Sequence, residues 1–367
     1  MSKGTAATSS EESKFVAPVI SSVEYLGNKR KLLPFLIPAV RARSGIHTQV
    51  LDLFTGTGSV AAGFKSVGFS VLANDHLAWC ALSAEAILNN SMPPPFRGLS
   101  AGAQRTPYTW VIEQLNRVSG RDGFIYQNYS PASHDSAGVE RRYFTEGNAR
   151  RIDGVRHQIE DWRPQLTSAE YALLVSDLLR AAAAVSNVAG TYGCYLKEWK
   201  ARALQPLVLD ESVLIPGPDQ GHEVSREDAE QLLRARSAPV IYADPPYTKR
   251  QYAAYYHVLE TIALADEPAV EGSTGLRDWR THASDFCYKR RAPAAIRRLL
   301  ETADCAHFFL SYSSDGQVPH EDVVAILNDH GRVEILEVSH PRYRSNRRIQ
   351  KAAHVTERLY HVTMSPS

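Results

Sequence analysis

The chain has 367 residues, of which 44% are hydrophobic and 22% charged, and its formal net charge is only +1. That composition describes a globular protein with a sizeable core, long enough for one large domain with an insertion or for two domains. It excludes collagenous and low-complexity classes, and it excludes a global field that would attract nucleic acid, so any basic surface has to come from local clusters. The four cysteines, Cys80, Cys194, Cys287 and Cys305, form no Cys-x-x-Cys pair, which argues against zinc or a disulfide framework and suits a reducing cytosol. We expect no metal site, no membrane span and a cytoplasmic location.

Residues 1–20 open with the polar, aperiodic "MSKGTAATSSEESK" and are expected to be a disordered tail without a signal-peptide core. The first strand is "QVLDLF" (Gln49–Phe54), followed by "TGTGS" and a helix start. "FSVLAND" (Phe69–Asp75) predicts a second strand and "HLAWCALSAEAILNN" the helix after it. From 91 to 210 prolines, aromatics and helical periodicity replace strand patterns, so this segment reads as a largely helical insertion. Within it Thr167 and Glu170 stand at capping-box spacing before a helix expected to end near Gly190. Strand patterns resume at His222–Ser225, Pro239–Asp244 and His307–Ser313. "VPHEDVVAILNDHG" predicts a helix, and "RVEILEVSH" and "HVTERLYHVTM" two last strands. The class is α/β, with 21–90 and 211–367 forming one domain around the insertion.

"DLFTGTGSVA" sets Gly56, Gly58 and Ala61 in the spacing of a nucleotide-binding turn. Such a turn needs a tight bend after a strand, bare backbone where a ligand approaches, and a small residue for helix–strand packing. Asp75 ends the next strand, where an acid can bind ribose hydroxyls. The motif suits NAD and S-adenosylmethionine alike, and by itself it is also compatible with a glycine-rich turn of no chemical consequence. Asp52 favours S-adenosylmethionine, because an acid inside the first strand can meet the ammonium of a methionine moiety, which NAD lacks.

The second constellation is "VIYADPPYTKRQY", where an apolar strand ends in Asp244-Pro245-Pro246-Tyr247. An exocyclic amino group on a nucleobase is a poor nucleophile, since its lone pair is delocalised into the ring. A carboxylate and a backbone carbonyl that each accept one amino hydrogen can turn that lone pair outward, and Asp244 and the Pro245 carbonyl are spaced for this. Proline fixes φ and steers its predecessor away from helix, which makes the segment rigid. Tyr247 offers a ring for stacking the target base, which must leave the duplex to reach it. As an isolated tetrapeptide the segment reads equally as a stiff turn. The pair of motifs is far more specific than either half.

On these residues the chain resembles the Dam-like, alpha-group adenine-specific DNA methyltransferases. The resemblance rests on "YLGNKRKLL" (Tyr25–Leu33), "DLFTGTGSVA" (Asp52–Ala61), "AND" (Ala73–Asp75), "ADPPYTKRQYAAYYHVLETIA" (Ala243–Ala263) and "FLSYSSDG" around Leu310–Gly316, and covers nearly everything after residue 20. It implies a Rossmann-like methyltransferase fold with a mostly parallel sheet and an antiparallel C-terminal strand, and it makes the insertion the reader of the DNA target. It further implies S-adenosylmethionine as cofactor, held by Tyr25, Gly27, Asn28, Lys29, Asp52, Phe54, Gly56, Gly58, Asp75, Asp228 and Asp244, with Asp228 approaching the adenine. Asp244, Pro245, Pro246 and Tyr247 are the implied catalytic residues.

For DNA contacts, Lys249, Arg250 and Gln251 follow Tyr247 directly, where the strand carrying the base has to pass. "HPRYRSNRRIQK" (His340–Lys351) holds Arg342, Arg344, Arg347 and Arg348 and no acid, as a phosphate-gripping loop would. A solvated basic loop has the same composition. The basic stretch 141–156 could insert into DNA or occupy the gap left by a flipped base, and helix packing with exposed basic ends explains it almost as well; the stretch 277–293 receives no role. The expected activity is methylation of adenine N-6 in a specific duplex DNA sequence by a monomer, as the modification half of a restriction–modification or defence system with a cognate endonuclease. Rival readings are methylation of cytosine N-4 or of adenine in RNA, an NAD-dependent oxidoreductase, and a non-catalytic DNA-binding module with the same fold.

Overall fold

Alternation along the short strands decides the layering. In β1 (Gln49–Asp52) Val50 and Leu51 point to opposite faces and both are fully buried; β4 (Val240–Ala243) is buried at every position. Strands buried on both faces need helices above and below, as in parallel sheets. The computed structural model describes residues 15–20, 23–99, 106–218, 221–341 and 354–365. Among these the main sheet has seven strands in the order β3-β2-β1-β4-β7-β9-β8. They include β2 (Ser70–Asn74), β3 (Glu223–Ser225), β7 (His307–Ser313), β8 (Gly331–Pro341) and β9 (His354–Met364). Pairings from β3 through β7 are parallel, and β9 runs antiparallel to both β7 and β8. A two-residue hairpin, β5 (Val270–Glu271) and β6 (Leu276–Arg277), stands apart.

One face of the sheet, with Val50, Tyr242 and Phe309, packs on α1 (Leu33–Arg43) and α2 (Ser59–Ser66) through Leu36, Ile37, Val40 and Phe64. The alternate residues Leu51, Ile241 and Phe308 pack on α9 (Ala229–Ala235), α12 (Ala292–Thr302) and α13 (His320–Asn328). A separate core joins α3 (Ala78–Leu88) to α4 (Pro107–Arg117), α5 (Phe124–Tyr129), α7 (Glu146–Trp162) and α8 (Ser168–Ala184), while the short α6 (His134–Ala137) buries no residue. Tyr256 and the inward face of α11 (His257–Leu264), which follows α10 (Tyr252–Tyr255), close that core from the side of the Asp-Pro-Pro-Tyr segment.

The capping box forms: Thr167 Oγ1 accepts from Glu170 N, and Glu170 Oε2 accepts from Thr167 N at 2.9 Å. The helix it starts ends at Ala184, six residues before Gly190. Asn187 explains the early stop, since its backbone N–H goes to the Tyr143 carbonyl at 2.8 Å and its amide to the carbonyls of Arg142 and Leu196. The side-chain partners lie 45 and 9 positions away, so Asn187 is held by tertiary hydrogen bonds that a continued helix would forgo.

Chain order in the sheet reverses between β1 and β4: β2 and β3 extend one side and β7 the other. Ligands of open α/β sheets bind beyond the carboxyl ends of the strands at such a switch point. Asp52 pairs with Tyr242 across it, so the glycine turn after β1 and the Asp-Pro-Pro-Tyr corner after β4 emerge side by side.

Candidate active site

A cleft of about 680 Å³ opens at that switch point. Its floor is the glycine turn, in which Gly56 and Gly58 have φ of +53° and +74°. The Asp75 carboxylate ties the turn to α3, accepting from Gly56 N at 2.9 Å and from Leu77 N at 3.0 Å. Burial pushes its pKa up to about 6, opposed by those two hydrogen bonds. Two backbone donors leave lone pairs on Asp75 for ligand hydroxyls.

Tyr25, Gly27, Asn28 and Lys29 form the wall beside the turn. Asn28 Nδ2 donates to Thr57 Oγ1 at 3.1 Å, locking this segment to the glycine turn. Tyr25 sits among Trp79, Tyr252 and Tyr256, with ring centroids 4.9 to 5.5 Å away. The backbone after it is pinned twice: Leu26 N donates to the Tyr256 hydroxyl at 2.8 Å, and the Tyr252 hydroxyl donates to Leu26 O at 3.1 Å. Tyr252 and Tyr256 thus position the cleft wall.

Asp244 emerges from β4 with its carboxyl largely buried. Lys29 Nζ lies 3.1 Å from Asp244 Oδ1, 2.5 Å from Glu357 Oε1, and 4.9 Å from the Tyr247 ring centroid. The two carboxylates keep Lys29 cationic against the cost of its burial, well above the usual lysine range. Burial pushes Asp244 up to about 7, with Lys29 opposing and Glu357 adding to the rise. Tyr247 packs edge-on against Tyr312 at 5.9 Å, and its carbonyl accepts from Gln317 N at 3.0 Å. The corner is therefore fixed on three sides with the Tyr247 ring on the cleft.

Asp228 caps α9, accepting from the backbone N–H of Glu230 and Gln231 at 3.0 and 3.2 Å, and it lines the cleft with Phe54. The opposite wall is Thr281–Phe286, inside a basic stretch that had no role in the sequence. His282 Nδ1 meets His76 Nε2 at 2.8 Å, and Phe286 packs edge-on against Phe54 at 5.5 Å. These contacts span long sequence separations, so no local pattern announces them.

Some expected residues stand elsewhere. Asp52 lies behind the wall, fully buried, with Oδ2 accepting from Thr55 Oγ1 at 3.0 Å and Oδ1 without a partner. Gly58 is also off the wall; a Cβ there would meet Ile87 Cδ1 at 2.8 Å, so its bareness serves α2–α3 packing. Gln251 turns inward: its amide donates to Ser284 O at 3.1 Å and accepts from Ser284 N at 2.9 Å, which ties the far wall to the segment after Tyr247. Lys249 and Arg250 are exposed. Arg342, Arg344, Arg347 and Arg348 lie outside the described residues. Among the described residues no cluster of three His, Cys, Asp or Glu side chains could hold a metal ion, and no helix is long and apolar enough to cross a membrane.

A mainly parallel sheet with one antiparallel strand near its end, carrying a glycine turn and an acidic corner at its switch point, defines a Rossmann-like methyltransferase fold. More narrowly, the chain belongs to the D12 class N6 adenine-specific DNA methyltransferases, whose family model matches residues 25–322. It is 33% identical over 350 residues to modification methylase StsI of Streptococcus sanguinis, covering 94% of this chain and 52% of that protein. It is 34% identical over 346 residues to the Type II methyltransferase M.FokI of Planomicrobium okeanokoites, covering 93% and 52%. To the Type II methyltransferase M.NlaIII of Neisseria lactamica it is 34% identical over 330 residues, 89% of this chain and 93% of the relative. The chain thus spans about half the length of the first two relatives and nearly all of the third.

Proposed function

We propose that this chain methylates N-6 of adenine in a specific duplex DNA sequence, using S-adenosylmethionine and a base flipped into the Asp244–Tyr247 corner. One observation carries the reading: the nucleotide turn and the acid–proline–proline–tyrosine corner share a single cleft, and Lys29 spans from the wall of the first to the carboxylate of the second.

The cleft suits the cofactor in its own geometry. Gly56 presents bare backbone where a Cβ would collide with the Tyr25 ring at 2.9 Å, and Asp75 and Asp228 supply acceptors on the wall. Tyr25, Gly27, Asn28, Phe54, Asp75 and Asp228 would hold it. When bound, it would supply an electrophilic methyl to the amino nitrogen, the electron pair of the broken C–S bond remaining on sulfur and one amino proton passing to water. Asp244 and the Pro245 carbonyl would accept the two amino hydrogens and turn the nitrogen lone pair toward that methyl. Lys29 orients the Asp244 carboxylate, and Tyr247 offers its ring to the base. The gain in rate is then orientation and preorganised charge.

Lys249 and Arg250, exposed beside the corner, are assigned to phosphates of the flipped strand, and the helical segment 91–210 to the target sequence. The names of the relatives support a place on the modification side of a restriction–modification pair, with an endonuclease as functional partner. The test is transfer of labelled methyl from S-adenosylmethionine to a duplex DNA pool and, in a parallel reaction, to total RNA, each followed by digestion to nucleosides. Label in N6-methyldeoxyadenosine supports the reading; label in N4-methyldeoxycytidine, or in RNA alone, overturns it.

A further inference from the structure

Glu357 lies outside the span that the family model matches. It sits on β9 opposite Ser313, on the inward row with Val355 and Leu359, where alternation calls for an apolar residue. The residue is 2% exposed. A buried carboxylate is costly unless paired; among the described residues Glu357 is met by Lys29, with Ser311 Oγ donating to the same oxygen at 3.3 Å. The ammonium that meets Glu357 at 2.5 Å also meets Asp244 at 3.1 Å. One cation is therefore divided between a carboxylate at the reacting corner and one behind it.

We propose that Glu357 is a positioning residue for methyl transfer: by holding Lys29 it keeps that ammonium from fully neutralising Asp244, which stays a strong acceptor aimed at the amino group. This rests on the methyltransferase reading. With all three groups ionised the trio carries one net negative charge, and Glu357→Gln makes it neutral. Lys29, released from the rear, then closes on Asp244 and competes with the substrate for its lone pairs. The groups facing Asp244 are Lys29, Glu357 from β9, Asp52 from β1, Tyr242 and Tyr247 from its own segment, and Tyr252 from α10. Burial keeps Tyr242 and Tyr252 protonated and holds the Asp52 proton up to about pH 7, so among the described residues the charges acting on Asp244 below that pH are those of Lys29 and Glu357.

The test is a carbon-13 titration of aspartate carboxylates in the full chain, with the Asp244 signal assigned by its loss in Asp244→Asn. Glu357→Gln should lower the Asp244 midpoint by about half a unit or more, because a like charge is removed and an opposite charge moves closer. Glu357→Asp, which keeps the charge but recedes from Lys29, should fall between. In the same proteins kcat should drop about tenfold in Glu357→Gln while the S-adenosylmethionine Kd stays within about threefold. An unchanged Asp244 midpoint in folded Glu357→Gln overturns the inference. If that variant does not fold, Glu357→Asp decides, a downward shift supporting the inference and no shift refuting it. A wild-type chain that titrates as expected but methylates no DNA refutes the methyltransferase reading and leaves the coupling standing.

Discussion

Replacing Gly56 by alanine probes the floor of the cleft, and its cost can be worked from two separate sources. The first is backbone: φ at Gly56 is +53°, and an L side chain in the left-handed region costs about 1 kcal/mol. The second is contact: the new methyl would lie 2.9 Å from Tyr25 Cε1. Trp79, Tyr252 and Tyr256 pack around the Tyr25 ring, so it can yield only toward the cleft. Overpacking of this kind adds about 1–2 kcal/mol. Gly45 is the matched control, with φ of +60° and nothing within 4 Å of an added Cβ. Urea unfolding should show Gly45→Ala less stable by about 1 kcal/mol and Gly56→Ala by about 2–3 kcal/mol. Calorimetric titration should give wild-type S-adenosylmethionine affinity for Gly45→Ala and a loss of about tenfold or more for Gly56→Ala, about 1.4 kcal/mol. If Gly56→Ala is no less stable than Gly45→Ala and binds the cofactor normally, the turn is not the cofactor floor.

Gln251→Ala removes two hydrogen bonds to the Ser284 backbone and should cost about 1–3 kcal/mol, visible as faster proteolysis within 280–287, with the salt dependence of DNA binding unchanged. Lys249→Ala and Arg250→Ala should each flatten that salt dependence by about one unit of slope; if Gln251→Ala flattens it as well, its inward role is wrong. Asp52 gives a pH signature. Burial raises its pKa from 3.8 to about 7, so the native state holds the proton more tightly than the unfolded state. Its favourable contribution is complete below about pH 4 and is lost as pH rises through 7. The unfolding free energy of Asp52→Asn relative to wild type should therefore rise by up to roughly 4 kcal/mol from pH 4 to pH 8. Parallel stability curves for the two proteins would remove Asp52 from this account.

What was legible in the sequence was what local chemistry encodes. The apolar runs, the glycine turn and the Asp-Pro-Pro-Tyr segment each carry their own signal, and sheet topology then brings their ends together. The capping box at Thr167 was readable for the same reason. Asp52 and Gly58 were drawn toward the ligand by their motif, yet one serves beneath the cleft and the other a helix contact. Gln251 looked like a DNA contact from its neighbours Lys249 and Arg250, but Ser284, 33 residues on, turns it inward. Glu357 left one trace, an acid on the apolar side of an alternating strand, and its meaning depends on Lys29, 328 residues away. Tyr252 and Tyr256 could not be assigned from sequence because the backbone they hold lies 226 and 230 positions upstream.

The central claim is that Asp244 directs methyl transfer to adenine in DNA. Its most direct test is single-molecule sequencing of DNA from a methylation-free bacterial host expressing either the wild-type chain or Asp244→Ala. DNA from the wild type should carry N6-methyladenine within one defined sequence motif and DNA from the variant none, with both proteins folded and binding S-adenosylmethionine. Unmodified DNA from the wild type, or equal modification by Asp244→Ala, would contradict it.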